Sequence, residues 1–180
     1  MKIIIASDIH GSFTYCEQLF AAAEREKADK ILLLGDLLYH GPRNDLPDGY
    51  APKKVISLLN ANKNRIFAVR GNCDTEVDQM VLEFPILADY CILECNGHII
   101  YATHGHHHNP QNPPFLNDGD VLLNGHTHVT AYERREGYYY FNPGSVSIPK
   151  DNTKRGYMVM ENNVFTWKTL DSELITEIII

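Results

Sequence analysis

Three short apolar runs with helical periodicity between them open the chain, and this alternation narrows the fold more than any other feature. Lys2–Ala6, Ile31–Leu34 and Ile66–Val69 are each of strand length and near-continuously apolar, as strands buried on both faces are. Between the first two, Ser12 stands where a helix N-cap belongs, and Leu19, Phe20 and Ala23 follow at helical spacing through about Glu26. Between the second and third, Gly41, Pro42, Pro47 and Gly49 mark a loop over His40–Tyr50. Pro52 then suits the first turn of a helix carrying Val55, Ile56, Leu58 and Leu59. Strand, helix, strand, helix, strand implies parallel strands joined by right-handed crossovers.

The second half changes character. Tyr90–Glu94 and His98–Thr103 flank Asn96-Gly97, a strong short hairpin signal. Val129–Arg135 and Tyr138–Phe141 flank Glu136-Gly137, and Tyr157–Glu161 and Val164–Thr169 flank Asn162-Asn163, so two more hairpins are expected. Val121–Leu123 is one further strand, and the tail Leu174–Ile180 reads as an edge strand that either faces solvent or pairs with a second copy of the chain. With 180 residues there is room for one domain, 1–180, and enough core that no disulfide is needed. The expectation is one α/β domain with two mixed sheets packed face to face and helices outside.

Charge and composition exclude several classes. Sixteen basic against twenty-three acidic residues give a net charge of −7, so no stable nucleic-acid complex is expected. No run approaches the roughly 20 apolar residues of a membrane span. Cys16, Cys73, Cys91 and Cys95 form no C-x-x-C pair, and Asp8 interrupts the first apolar run too early for an export signal. The cysteines therefore read as reduced thiols of a cytoplasmic protein.

Metal-type side chains recur just past the strand ends. Asp8 and His10 follow the first strand, Asp36 the second and Asn72 the third. His104 follows His98–Thr103, and Gly125-His126-Thr127-His128 follows Val121–Asn124. Ligands bind open α/β sheets at the carboxyl ends of their strands, so five strands converge their polar residues on one edge. Any one of these residues alone would more often be a cap, a turn or a satisfied histidine. Together, two Asp, one Asn and four His exceed what a single ion takes when water or substrate must also bind, which implies two ions. A carboxylate shared between the ions would let the set serve both. Oxygen and imidazole donors suit Mn²⁺, Zn²⁺, Fe, Co²⁺ or Ni²⁺ and do not choose among them; Mn²⁺ is taken as the expected ion.

These blocks resemble a known pattern. Asp8-x-His10, Gly35-Asp36, Gly71-Asn72-x-Asp74, His104 and Gly125-His126-x-His128 resemble, in order and spacing, the five blocks of the calcineurin-like metallophosphoesterase superfamily. Gly41-Pro42-Arg43-Asn44, Arg70-Gly71-Asn72-Cys73-Asp74 and Asn142-Pro143-Gly144-Ser145-Val146 narrow the resemblance to its small bacterial YfcE-type phosphodiesterases. The resemblance implies a four-layer αββα sandwich of two mixed β-sheets flanked by helices. It implies that Asp8, His10 and His128 hold one ion, that Asn72, His104 and His126 hold the other, and that Asp36 bridges them. It implies hydrolysis of a small soluble phosphodiester, by in-line attack of a hydroxide shared between the ions. A phosphomonoesterase or nucleotide pyrophosphatase on the same site is the alternative. A binding scaffold like the retromer subunit of this fold is disfavoured by seven intact ligands.

One departure stands out. Many superfamily members carry His where this chain has Cys73, and that His protonates the leaving group. Cys73 is then either a weak acid or inert, and Asp74, the partner of the absent His, is left with a structural role. Arg43 is either a phosphate clamp or a solvated loop residue. Arg70 suits a salt bridge behind the Asn72 block. His106 is close enough in sequence to His104 to reach substrate, while His107 and His108 read as loop histidines.

Overall fold

The computed structural model describes all 180 residues, Met1–Ile180. The first half forms β1 (Lys2–Ala6), α1 (Phe13–Arg25), β2 (Lys30–Leu33), α2 (Pro52–Ala61), β3 (Ile66–Ala68) and the short α3 (Glu76–Val81). The second half forms β4 (Tyr90–Cys95), β5 (His98–Thr103), β6 (Asp120–Leu123), β7 (Thr130–Arg134), β8 (Tyr138–Pro143), β9 (Gly156–Glu161), β10 (Val164–Thr169) and β11 (Leu174–Ile179). Ser12 caps α1 as expected, its Oγ accepting from the Tyr15 N–H at 3.4 Å, and Pro52 opens α2.

Two mixed sheets result. One has the order β11-β10-β9-β1-β2-β3, with β1, β2 and β3 parallel and the hairpin β9–β10 added antiparallel against β1. The other has the order β4-β5-β6-β8-β7, with β5, β6 and β8 parallel and an antiparallel strand at each edge. The sheets pack face to face. On β1, Ile3 and Ile5 join the core between the sheets, which also holds Phe141, Phe165 and Trp167. Ile4 and Ala6 point the other way, into the core formed with α1 and α2. This period-two division of a wholly apolar run is why β1 shows no polar alternation.

The helical layer lies over the six-stranded sheet. On the far side, the connection between β5 and β6 contains Pro110, Pro113 and Pro114 and forms a loop, and its His108 packs edge-on to Tyr101, itself stacked on Tyr90. No helix is long and apolar enough to cross a membrane. The four cysteines are unbonded.

Candidate metal centre

The five strand ends that carry metal-type residues meet at one edge of the sandwich. Their backbones are unusual. Asp8, His10, Asp36, His126 and His128 all lie in the left-handed region, with φ between 49° and 65°. Such conformations cost about 1–3 kcal/mol each in non-glycine residues and persist only where neighbours over-determine them. Here they do. The Asp8 N–H donates to Gly35 O at 3.1 Å, and its carbonyl accepts from Ser145 Oγ at 2.8 Å and Ser147 Oγ at 2.9 Å. The His10 N–H donates to Asp36 O at 2.9 Å. Gly35 and Gly71 let the β2 and β3 exits touch: a Cβ on Gly71 would sit 2.1 Å from Asp36 Oδ1, and one on Gly35 2.4 Å from Gly71 N.

The side chains form one connected cluster. Asp8, His10, Asp36, His104 and His128 are each at most 3% exposed. Asp8 Oδ1 lies 3.5 Å from His10 Nε2 and 3.2 Å from His128 Nε2. His104 Nε2 lies 3.1 Å from Asn72 Oδ1 and 3.2 Å from His126 Nδ1. Asp36 Oδ2 stands between these halves, 3.7 Å from His10 Nε2 and 3.5 Å from His104 Nε2. All seven residues are thus brought together.

The donor chemistry suits cations. His10, His104 and His128 each place Nδ1 on a backbone carbonyl, of Tyr39 at 2.7 Å, Leu34 at 2.6 Å and Ile148 at 2.8 Å. A carbonyl only accepts, so Nδ1 carries the hydrogen and Nε2 of the neutral ring is a bare lone pair. His10 Nε2 and His128 Nε2 face each other at 3.2 Å, and the buried Asp8 Oδ1 beside them has no hydrogen-bond partner. Lone pairs so arranged repel unless a positive charge sits among them, and a divalent ion meets that requirement.

Proton affinities point the same way. Burial alone would raise the Asp8 carboxyl, but positive charge taken up on the neighbouring imidazoles, His10 and His128 first, holds it well below its ordinary value. Burial likewise works against Asp36, whose carboxyl His104 keeps low. Burial pulls the His104 imidazole down, yet Asp36 and Asp8 lift it to about 9. A cluster that draws a proton this strongly draws a metal cation for the same reason.

The remaining candidates divide. The Cys73 N–H donates to Asp36 Oδ1 at 2.8 Å, and its thiol lies with His10 and Asp36 in one group of donor atoms within 4.8 Å of one another. Burial, then the charge of Asp36, pushes that thiol up to about 12, so it stays protonated. Asp74 is buried and turned away from the site. Its carboxylate accepts the N–H groups of Asp36 (2.8 Å), Leu37 (2.9 Å) and Gly71 (2.7 Å), which makes it a positioning residue for Asp36. Arg70 donates to Asp74 O at 3.2 Å and pairs with Glu76 at 3.4 Å, behind the cluster.

A cleft of about 420 Å³ opens onto the cluster, with Arg43, Asn44, Cys73, Thr127 and Lys150 in its walls. Lys150 has no counterpart in the sequence reading, because no local pattern marks it; it reaches the cleft because its N–H donates to His128 O at 3.0 Å. Asn142 entered the sequence reading only within the Asn142–Val146 block of the resemblance. Its Nδ2 donates to Gly125 O at 2.8 Å and its carbonyl accepts from Trp167 Nε1 at 2.9 Å, tying the His126–His128 loop to the core. The His106 ring stands 5.4 Å from that of His104 and lines a second cleft with Arg70, Asn72, Asp89 and His107.

One carboxylate, Asp36, thus links two imidazole-bearing clusters on the strand ends of a two-sheet sandwich, an arrangement suited to holding cations beside a phosphoester. Residues 1–163 match the calcineurin-like phosphoesterase superfamily domain, and the chain belongs to that superfamily. The phosphodiesterase YfcE of Escherichia coli (strain K12) is 46% identical over 175 residues, covering 97% of this chain and 95% of that one. The solved structure of the E. coli phosphoesterase Yfce superposes with a TM-score of 0.96 at 45% identity, covering both chains fully. Zinc-complexed Vps29 from Entamoeba histolytica has a TM-score of 0.60 at 19% identity over 99% of each chain, a likeness of fold alone. The sandwich of two mixed sheets implied by the sequence is therefore the fold observed, and the chain is a hydrolase of a metal-dependent superfamily.

Proposed function

We propose that this chain is a phosphodiesterase that uses two divalent ions, Mn²⁺ first among them, to hydrolyse a small soluble phosphodiester. The observation that carries the diester reading is its 46% identity, over nearly the whole chain, to a protein named a phosphodiesterase. The cluster geometry supports the pair of ions. Asp8, His10 and His128 would hold one, and Asn72, His104 and His126 the other. Asp36 would bridge, since one of its oxygens faces an imidazole from each half. Held there, such ions would supply positive charge for the phosphate oxygens and would lower the pKa of water toward neutrality.

The chain's own residues account for the rest. The Nδ1–H bonds to Tyr39, Leu34 and Ile148 fix the rings so that Nε2 faces inward. The Asp74 carboxylate holds Asp36 by accepting the Asp36 backbone N–H. No serine, threonine or thiolate is needed as nucleophile, and the protonated Cys73 thiol is a poor one. A thiol pushed up to about 12 is too weak an acid to assist a nitrophenolate and yields its proton only to a far more basic alkoxide. Four unbonded cysteines support placement in a reducing compartment such as the cytoplasm.

Hydrolysis of bis(p-nitrophenyl) phosphate and of p-nitrophenyl phosphate, compared at equal metal loading, tests the reading. Faster turnover of the diester is expected. A strong preference for the monoester would assign the site to a phosphomonoesterase.

A further inference from the structure

The cleft beside the cluster holds two cations with no assigned task. The chain carries sixteen Lys and Arg in a net charge of −7. Eight of these sixteen, for example Lys2 with Glu161 and Lys168 with Glu26, lie within 4 Å of a carboxylate. The side chains of Arg43 and Lys150 make neither an ion pair nor a hydrogen bond within the chain, yet both line this one cleft. They come from different loops whose backbones are fixed. Asn44 donates to His40 O at 2.8 Å and closes the Arg43 turn, while Lys150 is held by its N–H bond to His128 O at 3.0 Å and by Thr153 Oγ1 on its carbonyl at 2.8 Å. The bases are anchored and the charged ends are free.

The walls say what kind of group these ends meet. Pro42 and the Cys73 thiol are the apolar groups among the eleven residues lining the cleft, and no Phe, Tyr or Trp lines it. There is no platform on which a nucleobase would stack and no surface for an acyl chain. The single carboxylate of the lining, Asp36, is buried and engaged by the Cys73 N–H and His104. Arg43 and Lys150 are therefore left without an internal counter-charge, and a guanidinium fork with a nearby ammonium suits a carboxylate or phosphate.

We propose that Arg43 and Lys150 bind a second anionic group on the substrate, so that the preferred ester is a small, non-aromatic phosphodiester with a carboxylate or further phosphate on one alcohol. This rests on the phosphodiesterase reading and narrows its substrate class. The cluster handles the phosphate to be cleaved, and the two loop cations select among diesters by what else they carry.

Alkyl diesters allow binding to be read before appreciable turnover, because an alkoxide is a more basic leaving group than nitrophenolate and departs more slowly. The full-length chain loaded with Mn²⁺ is titrated calorimetrically with 2-carboxyethyl methyl phosphate, 2-phosphoethyl methyl phosphate and ethyl methyl phosphate. At least one of the two esters with an anionic tail is expected to bind about tenfold more tightly than the neutral-tailed one. The tighter of the two identifies the anion. Lys150→Met and Arg43→Met should each shrink this ratio several-fold at unchanged metal content, and added salt should shrink it further. Equal affinities for all three esters, or a ratio that both substitutions leave unchanged, would overturn the inference. Hydrolysis of bis(p-nitrophenyl) phosphate by the same samples reports separately on the phosphodiesterase reading, which can fail while the binding ratio stands.

Discussion

Asp36 concentrates more of the site on one side chain than any other residue. Its Oδ2 faces an imidazole from each half of the cluster, its Oδ1 takes the Cys73 N–H, and its own N–H is held by Asp74. Asp36→Asn should therefore lower activity more than replacement of a ligand to one ion only, with loss of bound metal by mass spectrometry; two retained ions and near-normal turnover would remove Asp36 from the bridge. Cys73 leads to the opposite expectation. With its thiol pushed up to about 12, Cys73→Ser should change the rate for a nitrophenolate ester by less than about threefold, and a leaving-group series should show a steep fall toward basic alcohols. A large loss for nitrophenolate at unchanged metal content would give the thiol a role in the reaction. The seven cluster residues were legible because each follows a short apolar run, several directly after a glycine. Ser147 was not, and Ser145 entered only within a block of the resemblance, because what they hold is the carbonyl of Asp8, 139 and 137 residues away. Asp74 was legible by position, while its three N–H partners needed the fold.

Elements with strong local signals emerged where the sequence put them, and weak ones did not. β1 spans Lys2–Ala6 as read, and the turns at Asn96-Gly97, Glu136-Gly137 and Asn162-Asn163 each close a hairpin. α3 escaped notice, since it has six residues and none buried. Its trace in the sequence is Thr75-x-x-Asp78, a capping box with Asp where Glu or Gln is usual. The pairing of β1 with β9 joins residues that no short-range pattern connects. One link across elements carries a pH dependence. Glu26, at the end of α1, accepts Lys168 Nζ at 2.7 Å and Tyr157 Oη at 3.0 Å, from β10 and β9. Burial raises its carboxyl, but the Lys168 and Tyr157 bonds hold it below its ordinary value. A lowered folded-state value means that the stabilisation is complete above the unfolded value of about 4.3 and is lost as pH falls through the folded one. Glu26→Gln should cost about 1 kcal/mol near pH 7, and urea melts should show the gap from wild type closing toward pH 3. A gap independent of pH would mean that the charge on Glu26 contributes nothing.

The two sheets hold the cluster in place through the core between them. Trp167 is fully buried there, edge-on to Phe141 at 5.0 Å, and its Nε1–H reaches the carbonyl of Asn142, whose side chain holds the loop bearing His126 and His128. Trp167→Ala should cost about 3–5 kcal/mol in urea unfolding; a loss under about 1 kcal/mol would mean that the sheets do not depend on this contact. The two-sheet architecture could be anticipated from βαβ alternation followed by hairpins. The strand orders could not, since β6 pairs with β8 past the intervening β7 and the third hairpin returns to β1. What the whole arrangement achieves is five strand ends meeting at one edge, and the reading built on it is that seven side chains hold two ions which the reaction needs. Native mass spectrometry of the Mn²⁺-loaded chain, with bis(p-nitrophenyl) phosphate turnover on the same sample before and after chelation, measures this directly. Two ions per chain are expected, with turnover lost on chelation and restored by Mn²⁺; full turnover with one ion or none bound would contradict it.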